Sequence, residues 1–160
     1  MTLINTIIAS AVISRFDTTI EQLVALAILM PIVAAMGGNA GMQVVTVTVR
    51  ALATRDLTPG SNIARAVGKE LLVAGMNAGI FALNMGSIAA AWFHSPALGA
   101  VLGAAMIFNM MWAGLAGTII PLTLHRLGMD PAVSAGPFLT TTTDVLGFFS
   151  FLGLATLFLV

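Results

Sequence analysis

One carboxylate, Asp144, sits inside an apolar stretch near the end of the chain, in the run Thr140-Thr141-Thr142-Thr143-Asp144. Ionisable groups are costly in hydrocarbon, so they face a bundle interior or a water-filled path and mark function. In a helix that starts at Pro131, Asp144 lies thirteen residues on, about 20 Å along the axis and near mid-membrane. Thr141, Thr140, Pro137 and Gly136 share its helical face on one side, and Gly147 and Phe151 continue that face on the other. Pro137 has no N–H, which leaves a carbonyl of the preceding turn without its usual donor. Such carbonyls are tolerated where they line a cavity or bind an ion. A carboxylate, two hydroxyls and a freed carbonyl on one stripe are ligands for a cation. The competing reading is an Asp satisfied by a Thr or Asn of a neighbouring helix.

A second stretch carries neutral oxygens: Gly37-Gly38-Asn39-Ala40-Gly41-Met42-Gln43. Three glycines in five residues, after Pro31, predict a discontinuous helix, the device by which transporters expose backbone carbonyls and amides. Asn39 and Gln43, four apart, share a face. With no Cys, and with His94 and His125 only at membrane edges, the donor set is that of a hard cation. A packing kink with Asn39 as C-cap is the plainer alternative. Asp130 stands where the last helix begins, and either favours the helix N-terminus or gathers cations at a pore mouth. Asn77, Asn84 and Asn109 have the character of interhelical hydrogen-bonding residues, and Glu70 beside Lys69 that of a solvated or paired charge.

The elements that must hold these groups are apolar helices. Of 160 residues, 59% are hydrophobic and 8% charged, where a soluble domain carries about 25% charged residues. A mean hydropathy of +1.05 points the same way. Zero net charge gives no electrostatic case for a nucleic-acid partner, and the lack of Cys excludes disulfides and thiolate metal sites. No Lys or Arg precedes Arg15, so the first apolar segment reads as retained rather than as a secretory leader. Five segments approach the roughly 20 residues a span needs: Leu3 to Ser14, Ile20 to about Met36, about Leu71 to Phe93, Ala97 to Leu124, and Pro131 to Val160. Arg15 to Thr19, Arg55 to Asn62, His94 to Pro96 and His125 to Pro131 separate them. If the spans alternate, Arg50, Arg55, Arg65, Lys69 and Arg126 share one side and Arg15 the other. The positive-inside rule then puts the N-terminus in the cytoplasm and the C-terminus outside. The fold class is all-α, a polytopic membrane protein of five transmembrane helices forming one domain over residues 1–160.

The stretches PIVAAMGGNAGMQVVTVTVR (Pro31 to Arg50) and GMDPAVSAGPFLTTTTDVLG (Gly128 to Gly147) resemble the second and last membrane helices of MgtE-type magnesium transporters, and the similarity extends over nearly all of the chain. The resemblance implies a multi-pass protein of the cell inner (plasma) membrane. It also implies a homodimer whose pore lies between subunits, lined mainly by the second and fifth helices, with Mg²⁺ as the transported ion. It places the pore aspartate on Asp144 and the acidic residue at the cytoplasmic end of the last helix on Asp130. Gly37, Gly38, Asn39, Gly41 and Gln43 become pore backbone or neutral oxygens, with Thr140 and Thr141 beside Asp144 completing the expected metal-binding set. Typical members carry a cytosolic N-terminal domain, paired CBS domains and a connecting helix ahead of the membrane part. These lie outside this sequence, so a short member, half of a split system and a fragment remain open, as does a separately encoded cytosolic regulator. Another divalent ion, Mn²⁺ or Co²⁺, fits the same oxygens. An enzyme is disfavoured, because the constellation tests for intramembrane catalysis fail.

Overall fold

The computed structural model describes residues 2–55 and 63–160. Its helices are α1 (Thr2–Ile13), a 3₁₀ turn (Ser14–Phe16), α2 (Asp17–Gln22), α3 (Ala25–Ala53), α4 (Ile63–Trp92), α5 (Pro96–Arg126) and α6 (Pro131–Phe158). Five stretches are long and apolar enough to cross a membrane: Leu3–Gln22, Ala25–Ala53, Val67–Trp92, Pro96–Arg126 and Pro131–Phe158. The expected turn from Arg55 to Asn62 has only Arg55 among the described residues.

Helix α5 is the hub, packing against α3, α4 and α6. Much of its surface is buried, from Leu98 and Leu102 at one end to Pro121 and Leu124 at the other. Helix α4 docks antiparallel on α5 through small residues, and Gly99 lies so close to the Gly86 carbonyl that no side chain fits between them. In lipid, where apolar burial no longer drives association, such backbone approach is what holds helices together. Helix α3 runs parallel to α5, Val33 meeting Asn109 and Gly41 meeting Gly117. Helix α6 runs antiparallel to both, Gly147 lying beside Asn109 and Leu139 beside Gly41. Helix α1 lies along α6 in the same direction, fixed by Asn5 on Asp144, Phe16 edge-on to Phe149 at 6.0 Å, and Thr19 within 2.9 Å of Thr156.

Two apolar clusters close the ends of the bundle. Leu26, Leu29, Leu98, Leu102, Phe151 and Leu152 belong to one, and Val45, Ala116, Leu124, Ala135 and Leu139 to the other. Between them lies a polar layer. Asn109, wholly buried, donates to the Val33 carbonyl at 2.9 Å and occupies the space that side chains at Gly37 and Gly147 would take.

Three expectations from sequence need correction. The glycine stretch does not break the second span: α3 runs unbroken from Ala25 through Pro31 and the glycines to Ala53. Gly37 and Gly41 are buried against Asn109 and Leu139, so packing sustains the helix where propensity alone would weaken it. Asn39 is accordingly mid-helix, not a C-cap. The segment Arg15 to Thr19 is helical rather than a loop, and the reversal falls at Leu23 and Val24, whose carbonyls accept from Leu26 and Ala27. Helix α4, which holds the third expected span, starts at Ile63, about two turns ahead of the apolar run expected from Leu71.

The remaining turns follow from capping chemistry. At the end of α5, Gly128 takes φ 74° and Met129 N–H donates to the Leu124 carbonyl at 3.0 Å, a Schellman closure. His94 makes the same closure after α4 at φ 51°, with Ser95 N–H on the Ala90 carbonyl. Ser95 then caps α5 by accepting from Leu98 N–H, with Pro96 in the first turn.

Candidate ion site

Helix α6 presents two faces. Ala135, Leu139, Thr143 and Gly147 turn into the bundle and are buried. Gly136, Pro137, Thr140, Thr141 and Asp144 form the neighbouring stripe, which is exposed at Pro137 and half-buried at Thr140, Thr141 and Asp144. Of the residues expected to continue it, Gly147 packs against Asn109 and Phe151 is wholly buried, so the stripe closes just past Asp144. Asp144 is thus the deepest polar group on an open face, ending against a sealed apolar cluster.

The four consecutive threonine hydroxyls share one hydrogen-bonding pattern, and two of them, Thr140 and Thr141, lie on the stripe. Thr140 donates to the Gly136 carbonyl at 3.0 Å, Thr141 to Pro137 at 2.7 Å, Thr142 to Leu139 at 2.9 Å and Thr143 to Leu139 at 3.1 Å. Each hydroxyl hydrogen is used within the helix, so on the open stripe the oxygens of Thr140 and Thr141 offer only lone pairs outward, while Thr143 faces the bundle. That suits a cation, or water molecules donating from a cation's hydration shell.

Asn5 of α1 completes the surroundings. Its Nδ2 donates to Asp144 Oδ2 at 3.3 Å, while its own Oδ1 is buried without a partner. Sequence reading did not single out Asn5. Its only signal was an amide in an apolar segment, and its pairing spans 139 positions.

The glycine stretch divides between two jobs. Gly37 and Gly41 are packing residues, since a side chain at Gly41 would meet Leu139 at 2.7 Å. Gly38 is half-buried and faces open space, and Asn39 is exposed. On the α6 side of the same helix, the Met42 sulfur approaches Gly136. Gln43 turns the other way, into a groove of about 330 Å³ between α3, α4 and α5 that also holds Lys69, Glu70 and Asn77. The structure therefore places Gln43 away from Asp144. Asp130, exposed, caps α6 by accepting from Ala132 N–H at 2.9 Å.

Among the described residues, no three His, Cys, Asp or Glu side chains come together to hold a metal. The oxygen set within one chain is a single carboxylate with hydroxyls and amides around it. Fold and site together define a multi-pass membrane protein whose fifth span carries a half-buried carboxylate on an open polar stripe. A family model described as divalent cation transporter, MgtE, matches residues 30–154. The chain belongs to the MgtE family. It is 31% identical over 153 residues to the magnesium transporter MgtE of Bacillus subtilis, covering 96% of this chain and 34% of that protein. Against the magnesium transporter MgtE of Enterococcus faecalis it is 33% identical over 150 residues, covering 94% of this chain and 33% of the relative. With the Thermus thermophilus protein of the same description the identity is 34% over 155 residues, covering 95% and 33%. The chain thus spans about a third of the length of these relatives.

Proposed function

We propose that this chain forms the membrane pore of a Mg²⁺ transport system, with Asp144 as its mid-membrane cation site. The observation that carries this reading is the open α6 stripe, where a half-buried carboxylate stands beside hydroxyls whose hydrogens are already used. The names of the three relatives supply the ion. A single carboxylate is a poor match for a divalent charge. Two copies of the chain related by a two-fold axis bring two, and the half-exposed stripe is a face for that axis to run beside. Mg²⁺ sheds water reluctantly and is commonly held with several waters in place. Acceptor oxygens on Asp144, Thr140 and Thr141 suit a hydrated ion, and Gly38 leaves width where a larger residue would narrow the path.

In this reading the end of the bundle bearing Arg50, Arg55, Arg65, Lys69 and Arg126 faces the cytoplasm of a plasma membrane, following the positive-inside rule. Asp130 stands at that mouth. Proteoliposomes of the chain, assayed for Mg²⁺, Mn²⁺, Co²⁺ and Ca²⁺ flux, test the proposal. Mg²⁺ flux that falls to background in Asp144→Asn supports it. Selective Mg²⁺ flux undiminished by that change refutes the assigned site. Flux appearing only with an added cytosolic protein identifies the chain as the membrane subunit of a larger assembly.

A further inference from the structure

We infer that Asn5 of α1 is a specificity-determining residue of the ion path, holding the Asp144 carboxylate and lending an acceptor oxygen of its own. The inference rests on the proposed transport function and extends the site from α6 to the first span.

Asn5 Nδ2 lies 3.3 Å from Asp144 Oδ2. An ionised carboxylate accepts only, so the amide must turn its NH₂ toward Asp144. That leaves Asn5 Oδ1 pointing elsewhere, and it is buried with no partner among the described residues. An amide oxygen removed from water without a donor costs free energy, so a buried orphan of this kind calls for an occupant that donates. It sits one amide width from the only carboxylate on the stripe. Water in the shell of a cation held by Asp144 is such a donor.

The placement of Asn5 is built into the fold. Helix α1 and the following turn of helix are tied to α6 again at Phe16–Phe149 and Thr19–Thr156, both on the far side of Asp144 from Pro131. These contacts set the register of α1 on α6 and so deliver Asn5 to the level of Asp144. The neighbouring face of α1 is aliphatic and exposed, with Leu3, Ile4 and Ile7 at 74%, 57% and 60%. An amide on this largely aliphatic helix, aimed at the single mid-span acid, has a local job.

Its chemistry is twofold. By engaging Oδ2, Asn5 fixes the carboxylate rotamer and leaves Oδ1 of Asp144 directed at the path. By offering its own oxygen, it adds a second acceptor at a fixed distance from the first. Two rigid acceptors discriminate between hydration shells of different size better than one that swings. Removing the outer partner of a metal-site carboxylate commonly costs about 10- to 100-fold in metal affinity.

The test compares wild type, Asn5→Leu, Asn5→Gln and Asp144→Asn in proteoliposomes of the 160-residue chain, reading KM for Mg²⁺, maximal flux and the Mg²⁺:Ca²⁺ flux ratio. The expected result is a KM raised about ten-fold in Asn5→Leu with a smaller change in maximal flux, and a flux ratio shifted toward Ca²⁺. Asn5→Gln, which keeps both amide atoms, restores part of the ratio. Thermal unfolding in detergent identifies any variant that fails to fold, and Asn5→Gln then carries the comparison. Wild-type KM and flux ratio in a folded Asn5→Leu overturn the inference while leaving the transport function standing. No divalent flux in wild type, either alone or with the cytosolic protein added, overturns both.

Discussion

Asn109 of α5 donates to the Val33 carbonyl of α3 at 2.9 Å from a position with no solvent exposure, and its side chain fills the space over Gly37 and Gly147. One amide therefore sets how closely three helices approach at the depth of Asp144. Its Oδ1 is buried with no hydrogen-bond donor among the described residues.

A double-mutant cycle in detergent tests this relationship. Gly37→Ala forces a methyl into the Asn109 amide and is expected to destabilise the fold by about 1–3 kcal/mol. Asn109→Ala removes a buried hydrogen bond and leaves a void, at a cost of similar size. In the double variant the new methyl enters the vacated space, so the two losses fall short of adding. Strict additivity in the thermal unfolding of all four proteins would falsify the assignment of Asn109 to that space.

His94 supplies a test of the turn between α4 and α5. At φ 51° it occupies the left-handed region, where a residue with a Cβ is strained and glycine is not. His94→Gly is expected to raise stability by about 0.5–1 kcal/mol, seen as a higher unfolding midpoint in detergent. A lowered midpoint would indicate that the imidazole makes an interaction worth more than the strain.

For Asp144, charge and shape are separable. Asp144→Asn keeps the volume and the two heavy atoms but removes the negative charge, so Mg²⁺ flux should fall by at least ten-fold with the fold retained. Loss of one charge-assisted contact, at about 1.5–3 kcal/mol, sets that scale. Asp144→Glu keeps the charge on a longer stem and displaces it from Asn5, so intermediate flux is expected. Flux measured in proteoliposomes, with unfolding midpoints in parallel, checks both. Equal flux in Asp144→Glu and wild type would mean that placement of the charge does not matter.

Much of this arrangement could be read from sequence, and the limits have physical causes. Five spans followed from hydropathy and turn residues, and Asp144 declared itself as an acid in an apolar run. The continuity of α3 did not, because propensity treats Gly37-Gly38 and Gly41 as breakers while the fold uses two of them as seats for Asn109 and Leu139. Helical periodicity put Asn39 and Gln43 on one face but could not say which flank of α3 meets α6, and Gln43, expected on the path, lines the groove between α3, α4 and α5. Asn109 was visible as a polar residue in a span, without its two glycine partners. Asn5 was invisible for a different reason: its meaning depends on a neighbour brought beside it only by the packing of α1 along α6.

Asp130 offers two roles that one substitution can divide. Its Oδ1 caps α6 through Ala132 N–H, a bond any Asx side chain can make. Its exposed charge lies at the end of the bundle that the proposed orientation turns to the cytoplasm, where, if the proposed path opens there, it would raise the local cation concentration. Asp130→Ala removes both and should destabilise α6 by about 1 kcal/mol. Asp130→Asn retains the cap, since Asn and Asp are nearly equivalent at this position, and removes only the charge. If the charge gathers cations, Asp130→Asn lowers Mg²⁺ flux at low ionic strength and approaches wild type in high salt, because screening beyond about 10 Å at 0.1 M abolishes the advantage. Its unfolding midpoint stays at the wild-type value throughout. A salt-independent flux equal to wild type, together with a lowered midpoint in Asp130→Ala, would assign Asp130 to capping alone.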